Sequence, residues 1–194
     1  MANWLRALLL MALIFVAGCA AKIPHTIVSD FGQRGTKLIA VMPVKILSAD
    51  VRSAAMLRAK LVEELYFKGY PRVPLRLVDE RLAGVSAGSR EEVAPQVVGE
   101  LLKVDAALYP TLNESRLGSG LFYGSTAAEA VFELRSTRTG EILWRVRHQE
   151  VFRSFGITRQ SVELRASQVF EKAIDGVINR ALETLPDGPE AGGN

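Results

Sequence analysis

One cysteine occurs in the 194 residues, at position 19. A chain with a single thiol closes no internal disulfide, so its fold must stand on packing alone. The surroundings of that cysteine say more. Met1 to Arg6 carries positive charge, Ala7 to Val16 carries none, and Ala17-Gly18 are small. A basic start, a short apolar run and small residues before a cut describe a secretory signal peptide. The run is too short for a membrane span, which needs roughly 20 apolar residues.

Val16-Ala17-Gly18-Cys19 resembles the bacterial lipobox. The resemblance implies cleavage before Cys19, a diacylglycerol on its sulfur and an acyl chain on its new amino terminus. It implies no other cofactor. Each buried methylene adds about 0.8 kcal/mol of membrane affinity; one chain holds weakly, while two or three hold for good. Ala20 stands where an Asp would favour retention at the inner membrane, which points to the outer membrane. The competing reading is an ordinary leader followed by a chance or core cysteine.

With residues 1–18 removed, Arg6 is lost and the net charge falls from +3 to +2. Near-neutrality gives no reason to expect a nucleic-acid partner, which calls for a clustered basic face. Residues 19–35 read as a lipidated flexible tether, residues 36–185 as a single domain, and residues 186–194 as a disordered tail.

Within the domain, Lys37 to Val44 is a near-continuous apolar run, as in a strand covered on both faces. Pro43 should fall at a strand end, having no N–H to give. Asp50 to Lys68 reads as a helix with Ala54, Leu57, Leu61 and Leu65 on one face, closed by Gly69. Val73 to Val78 reads as an irregular or edge strand beside Pro71 and Pro74, with Asp79 capping a short turn. Gly84 to Gly88 reads as a turn. Ser89 to Glu92 has capping-box spacing, with a helix starting there or at Pro95. Asp105 to Tyr109 completes β-α-β-α-β. Glu129 to Leu134 and Ile142 to Phe152 then form a hairpin around Arg138-Thr139-Gly140-Glu141. Trp144, Val146 and His148 fall on one side, Arg145 and Arg147 on the other. Ser161 to Leu185 is a long amphipathic helix. The expected class is α/β (α+β), with a mixed sheet of about five strands.

A search for chemistry returns little. His25 and His148 have no second ligand at metal spacing. No Gly-x-Ser-x-Gly elbow exists, and the one thiol is committed to lipid. Gly118 to Gly124 is glycine-rich but lacks the strand-then-helix context of a dinucleotide loop. It reads as a flexible connection, or as a contact loop offering Phe122 and Tyr123 to a partner. Glu63-Glu64 and Glu91-Glu92 read as solvated or dipole-favoured helix positions. Arg145, Arg147 and Arg153 suggest a basic stripe, which Glu141 and Glu150 would turn into a mixed surface.

Several segments, in order, resemble one family. They are Ile39-Ala40-Val41-Met42-Pro43-Val44, then Gly69-Tyr70 with Val73-Pro74 and Val78-Asp79-Glu80. Leu101 to Tyr109 and Thr139-Gly140-Glu141-Ile142-Leu143-Trp144 follow. The family is that of small bacterial outer-membrane lipoproteins of unknown function that includes a neisserial surface-antigen lipoprotein. The resemblance implies an α/β fold like the N-terminal domain of TolB, shared with the curli-secretion lipoprotein CsgG. It carries over no catalytic residue.

The expectation is therefore a non-enzymatic, lipid-anchored envelope protein. Its domain would lie in the periplasm or at the cell surface and bind other proteins of an assembly, secretion or transport complex. Its partners would be the membrane and envelope proteins, a CsgG-like lipoprotein among them, with a homodimer through an exposed strand edge as a further expectation. The alternatives are a lipoprotein regulator of peptidoglycan synthesis and, from another class, a hydrolase with an unrecognised site.

Overall fold

The computed structural model describes residues 22–48, 51–86, 92–119, 123–155 and 159–191. The leader, Cys19, Asp50 and the capping box at Ser89 lie outside them. In chain order come β1 (His25–Ile27), a 3-10 turn (Phe31–Arg34), β2 (Ile39–Val41) and β3 (Lys45–Ile46). Helices α1 (Val51–Phe67), α2 (Leu75–Ser86) and α3 (Pro95–Leu102) follow. Three long strands, β4 (Ala106–Ser119), β5 (Tyr123–Ser136) and β6 (Ile142–Phe155), lead to α4 (Arg159–Leu182). All six strands join one mixed sheet in the order β1-β6-β5-β4-β2, with β3 also on β4. Strands β2 and β3 run parallel to β4, and the remaining pairs are antiparallel. The architecture is the α+β class expected.

The apolar run at Leu38 is continuous because both of its faces are covered. Ile39 and Val41 join the layer under α1 and α4, while Ala40 and Met42 join the layer under α2 and α3. On the first face, Leu57, Leu61 and Leu65 of α1 and Ile174, Val177 and Ile178 of α4 meet Leu108, Phe132, Leu134, Trp144 and Val146. On the second, Val78, Leu82 and Val98 cover Ala107 and Tyr109. Pro43 lies between β2 and β3, as its missing N–H requires. Continuing the β2 register sets it opposite Pro110 of β4. Two residues that cannot donate thus share the gap in the parallel ladder, and pairing resumes at Lys45 with Thr111.

Several expectations are corrected. Residues 20–35 are not all tether: His25–Ile27 pairs with Trp144–Val146, and Phe31 is buried. The strand register and one aromatic plug fold this stretch onto the sheet despite its polar composition.

Val73–Val78 is not a strand, and Asp79 caps nothing. The prolines precede a helix start, Val78 N donates to the Pro74 carbonyl at 3.2 Å, and Val78 and Leu82 bury one face at helical spacing. Over six residues the two periods are hard to tell apart. The helix also runs through Gly84 to Ser86, in place of the expected turn.

The tail is docked through Ala191 rather than loose. Gly188 N donates to the Lys68 carbonyl at 2.7 Å and Glu190 N to the Gly69 carbonyl at 3.1 Å.

Finally, the two ends of the Gly118 to Gly124 segment are strand: β4 runs to Ser119 and β5 starts at Tyr123, with Ser119 opposite Gly124, while residues 120–122 lie outside the described residues. The predicted hairpin strands are therefore much longer than their apolar alternation, which fades where alanine and polar residues take over.

Candidate functional site

Two strands differ in how they are finished. Strand β6 pairs with β5 along its whole length, but β1 covers it only at Trp144–Val146. The register explains the stop. Continued by one residue, it would set Pro24 opposite Arg147, and Pro24 has no N–H to return to the Arg147 carbonyl. His25 Nδ1 meets the Ile23 carbonyl at 2.9 Å, and the pairing ends at His25. Val28 N donates to the Leu143 carbonyl at 3.0 Å, which shows that odd-numbered residues of β6 aim their main-chain groups outward. Among the described residues, no strand lies along this edge from Gln149 to Phe155.

The sheet face next to that edge is also uncovered. Helices α2 and α3 shield β2, the start of β4 and only the far end of β5, where Gly99 of α3 meets Thr137. Instead, charges lie across the face in a ladder. Arg147 pairs with Glu129, and Arg145 reaches Glu133 at 3.2 Å. Arg135 Nε donates to Glu133 at 3.0 Å and its other end lies 3.5 Å from Glu92, which Lys45 approaches at 3.8 Å. Asn113 Nδ2 donates to Glu129 at 3.4 Å. The carboxylates are recessed: Glu129 and Glu133 side chains are 16% and 15% exposed, against 72% and 55% for Arg147 and Arg145. The arginines therefore form the outer surface. The mixed surface expected from the sequence is present, but Glu129 and Glu133 supply its acid. Glu141 instead holds Arg34, and Glu150 holds His148 at 2.9 Å on the other face.

The Arg135 guanidinium lies 4.8 Å from the centre of the Tyr109 ring. Tyr109 donates to the Val93 carbonyl at 2.7 Å. Burial, together with the charge of Glu92, outweighs Arg135 and pushes its hydroxyl up to about 12. Burial opposes the charge on Arg135, yet the Glu133 hydrogen bond and the nearby carboxylates hold its pKa above the usual arginine value. These are the signatures of a fixed ion network.

A second feature is a small cleft of about 180 Å3 beside Arg34, Asp105, Thr137 and Arg138. Three of its polar side chains have named partners. Asp105 accepts from Lys37 N and Leu38 N at 3.0 and 2.9 Å, and Thr137 Oγ1 donates to the Val104 carbonyl at 2.6 Å. Arg34 bridges Asp30 and Glu141, and its hydrogen bond lowers the Asp30 pKa. The cleft staples the β1 segment to the base of the sheet and holds no nucleophile beside a base. Among the described residues, no group of three His, Cys, Asp or Glu side chains is placed to hold a metal.

Of the residues that the sequence singles out, Val16, Ala17, Gly18, Cys19 and Phe122 lie outside the described residues. Tyr123 opens β5 opposite Phe155 and is not a loop residue. Trp144 is buried in the core, donating through Nε1 to Thr184 Oγ1 at 3.0 Å. What sequence reasoning missed is which strand supplies the exposed edge it expected. Its one visible signal was Pro24 ahead of a β-branched pair, Thr26-Ile27.

The chain shares the fold of lipoprotein GNA1162 from Neisseria meningitidis. The two are 22% identical, with 72% of this chain and 99% of that one covered at a TM-score of 0.52. Two further similar structures are a PelC dodecamer from Paraburkholderia phytofirmans and the LpoB C-terminal domain from Salmonella enterica. The first is 16% identical, with 81% of this chain and 95% of that one covered at a TM-score of 0.46. The second is 15% identical, with 60% and 83% covered at 0.40. Of these three, GNA1162 establishes the fold, and it does so in agreement with the resemblance drawn from sequence. No family model and no curated protein matches the sequence. Among the described residues, no helix is long and apolar enough to cross a membrane.

Proposed function

We propose that this protein is a non-enzymatic, lipid-anchored component of the bacterial cell envelope, seated at the outer membrane. It binds other envelope proteins along the outer edge of β6, as part of an assembly, secretion or transport complex. The observation that carries the reading is that, among the described residues, nothing pairs with the main chain of Gln149 to Phe155, beside a charged face of β6 that no described helix covers. Such an edge takes up an extended partner through main-chain hydrogen bonds. The lipobox at Val16 to Cys19 and the fold shared with a bacterial lipoprotein support the anchoring. A TolB-like or CsgG-like module, as the sequence resemblance implies, suits a binding role rather than a catalytic one.

The shortened tether sharpens this. Five residues separate Cys19 from His25. Fully extended, that stretch reaches about 20 Å, so an anchored cysteine keeps β1 and the neighbouring β6 edge close to the bilayer. Partners would be those that come to the membrane surface.

Two measurements test the reading. Labelled palmitate should enter the native chain and not Cys19→Ser; label retained in the variant refutes the anchor. A photo-crosslinking residue at Val151 should capture envelope proteins, while the same residue at Glu63, exposed on α1, should capture none. Equal capture at both sites refutes the edge.

A further inference from the structure

We infer that the occupant of the β6 edge is a second copy of this chain, joined antiparallel about a two-fold axis at Val151. This rests on the edge-binding reading above and names its partner. The argument is one of register. Only odd residues of β6 present main-chain groups outward, so a self-pairing must set odd against odd. A symmetric antiparallel pair is self-complementary by construction, which leaves three centred registers to compare.

Centring on Glu150 sets Arg147 directly opposite Arg153 of the second copy, and like charges directly opposed are destabilising. Centring on Phe152 makes the two copies of Arg153 diagonal neighbours and sets each against Val151. Centring on Val151 sets Val151 against itself and Gln149 against Arg153. Val151 is 46% exposed in the single chain, and this register buries it against another β-branched side chain. Gln149 has a carbonyl to offer the Arg153 guanidinium. The one diagonal contact between arginines then involves Arg147, which Glu129 already neutralises. The Val151 register also uses the edge to its end, bringing Phe155 N–H opposite the Arg147 carbonyl that Pro24 leaves without a donor. Two copies held on one bilayer by short tethers meet often enough for a single strand pair to serve.

The test is disulfide trapping of the full chain in the membranes of a bacterial host. Residues facing each other in a hydrogen-bonded pair have Cα atoms about 5.5 Å apart, within the range of roughly 4.4–6.8 Å that a disulfide spans. Val151→Cys should therefore run as a reducible dimer on a non-reducing gel. Gln149→Cys, offset from its own copy by about 14 Å, should give about tenfold less. The unsubstituted chain, with Cys19 alone, sets the background. Phe152→Cys trapping in preference to Val151→Cys overturns the register. No trapping at any of the three positions, with photo-crosslinks from Val151 to a different protein, overturns the second copy and leaves the edge reading standing. Neither trapping nor crosslinks overturns both.

Discussion

Gly69 is where the helix end, the tail and the left-handed backbone meet, so Gly69→Ala gives the sharpest account of them. Its φ is +85°, and it closes α1 with Gly69 N on the Tyr66 carbonyl at 2.9 Å and Tyr70 N on the Leu65 carbonyl at 3.0 Å. A side chain in that conformation costs about 1–2 kcal/mol. The added carbon would also stand 2.3 Å from Ala191 N, against main chain that cannot yield without leaving. Displacing the tail removes the Gly188–Lys68 and Glu190–Gly69 hydrogen bonds, worth roughly 0.5–1.5 kcal/mol each. The expected total is about 2–5 kcal/mol, a fall in melting temperature of roughly 4–20 °C for a domain of this size. Urea unfolding followed by far-UV circular dichroism measures it, with the midpoint shifting and the slope unchanged. The decisive comparison is the same substitution in a chain ending at Leu185, where only the conformational cost of about 1–2 kcal/mol should remain. An equal cost in both chains refutes the docked tail. No cost in either refutes the left-handed cap.

Other outcomes follow from the core. Burial, then the charge of Asp187, pushes the Tyr70 hydroxyl up to about 12, and burial does the same for Tyr109. A raised tyrosine pKa favours the protonated folded state, so this stability is complete below pH 10 and lost as pH rises toward 12. Stepwise alkaline melts should show that fall, and ending the chain at Leu185 should lower the Tyr70 titration read by its ultraviolet absorbance. Trp144→Phe should cost about 1–3 kcal/mol from lost volume and the lost bond to Thr184. The Thr184 hydroxyl keeps its 2.7 Å bond to the Ala181 carbonyl, so no buried donor is orphaned and a loss above that range would contradict the assignment. If cleavage before Cys19 removes Trp4 as proposed, the processed chain should fluoresce from Trp144 alone, blue-shifted until it unfolds.

Periodicity carried most of the first layer. The stripes Leu57-Leu61-Leu65 and Ile174-Val177-Ile178 named their buried faces correctly because a helical repeat sustained over several turns stands out from chance. Val73 to Val78 is too short for that, and prolines that open a helix look, in sequence, like prolines that disrupt a strand. Charge partners were the least legible part of the candidate site. Arg145 and Arg147 could be placed on one side of β6, but their carboxylates come from β5 through a register that no local pattern displays.

By itself, the sequence determined the lone cysteine and the apolar faces, both read from neighbours along the chain. The tertiary structure decided that Pro24 falls at the ladder position where Arg147 awaits a donor, and so where β1 stops and β6 lies bare. It also decided that Pro43 and Pro110 share one gap, and that the tail closes over Gly69. The physical reason is the same in each case. A missing N–H or a missing side chain has meaning only against the residue opposite, and that residue is distant in the chain.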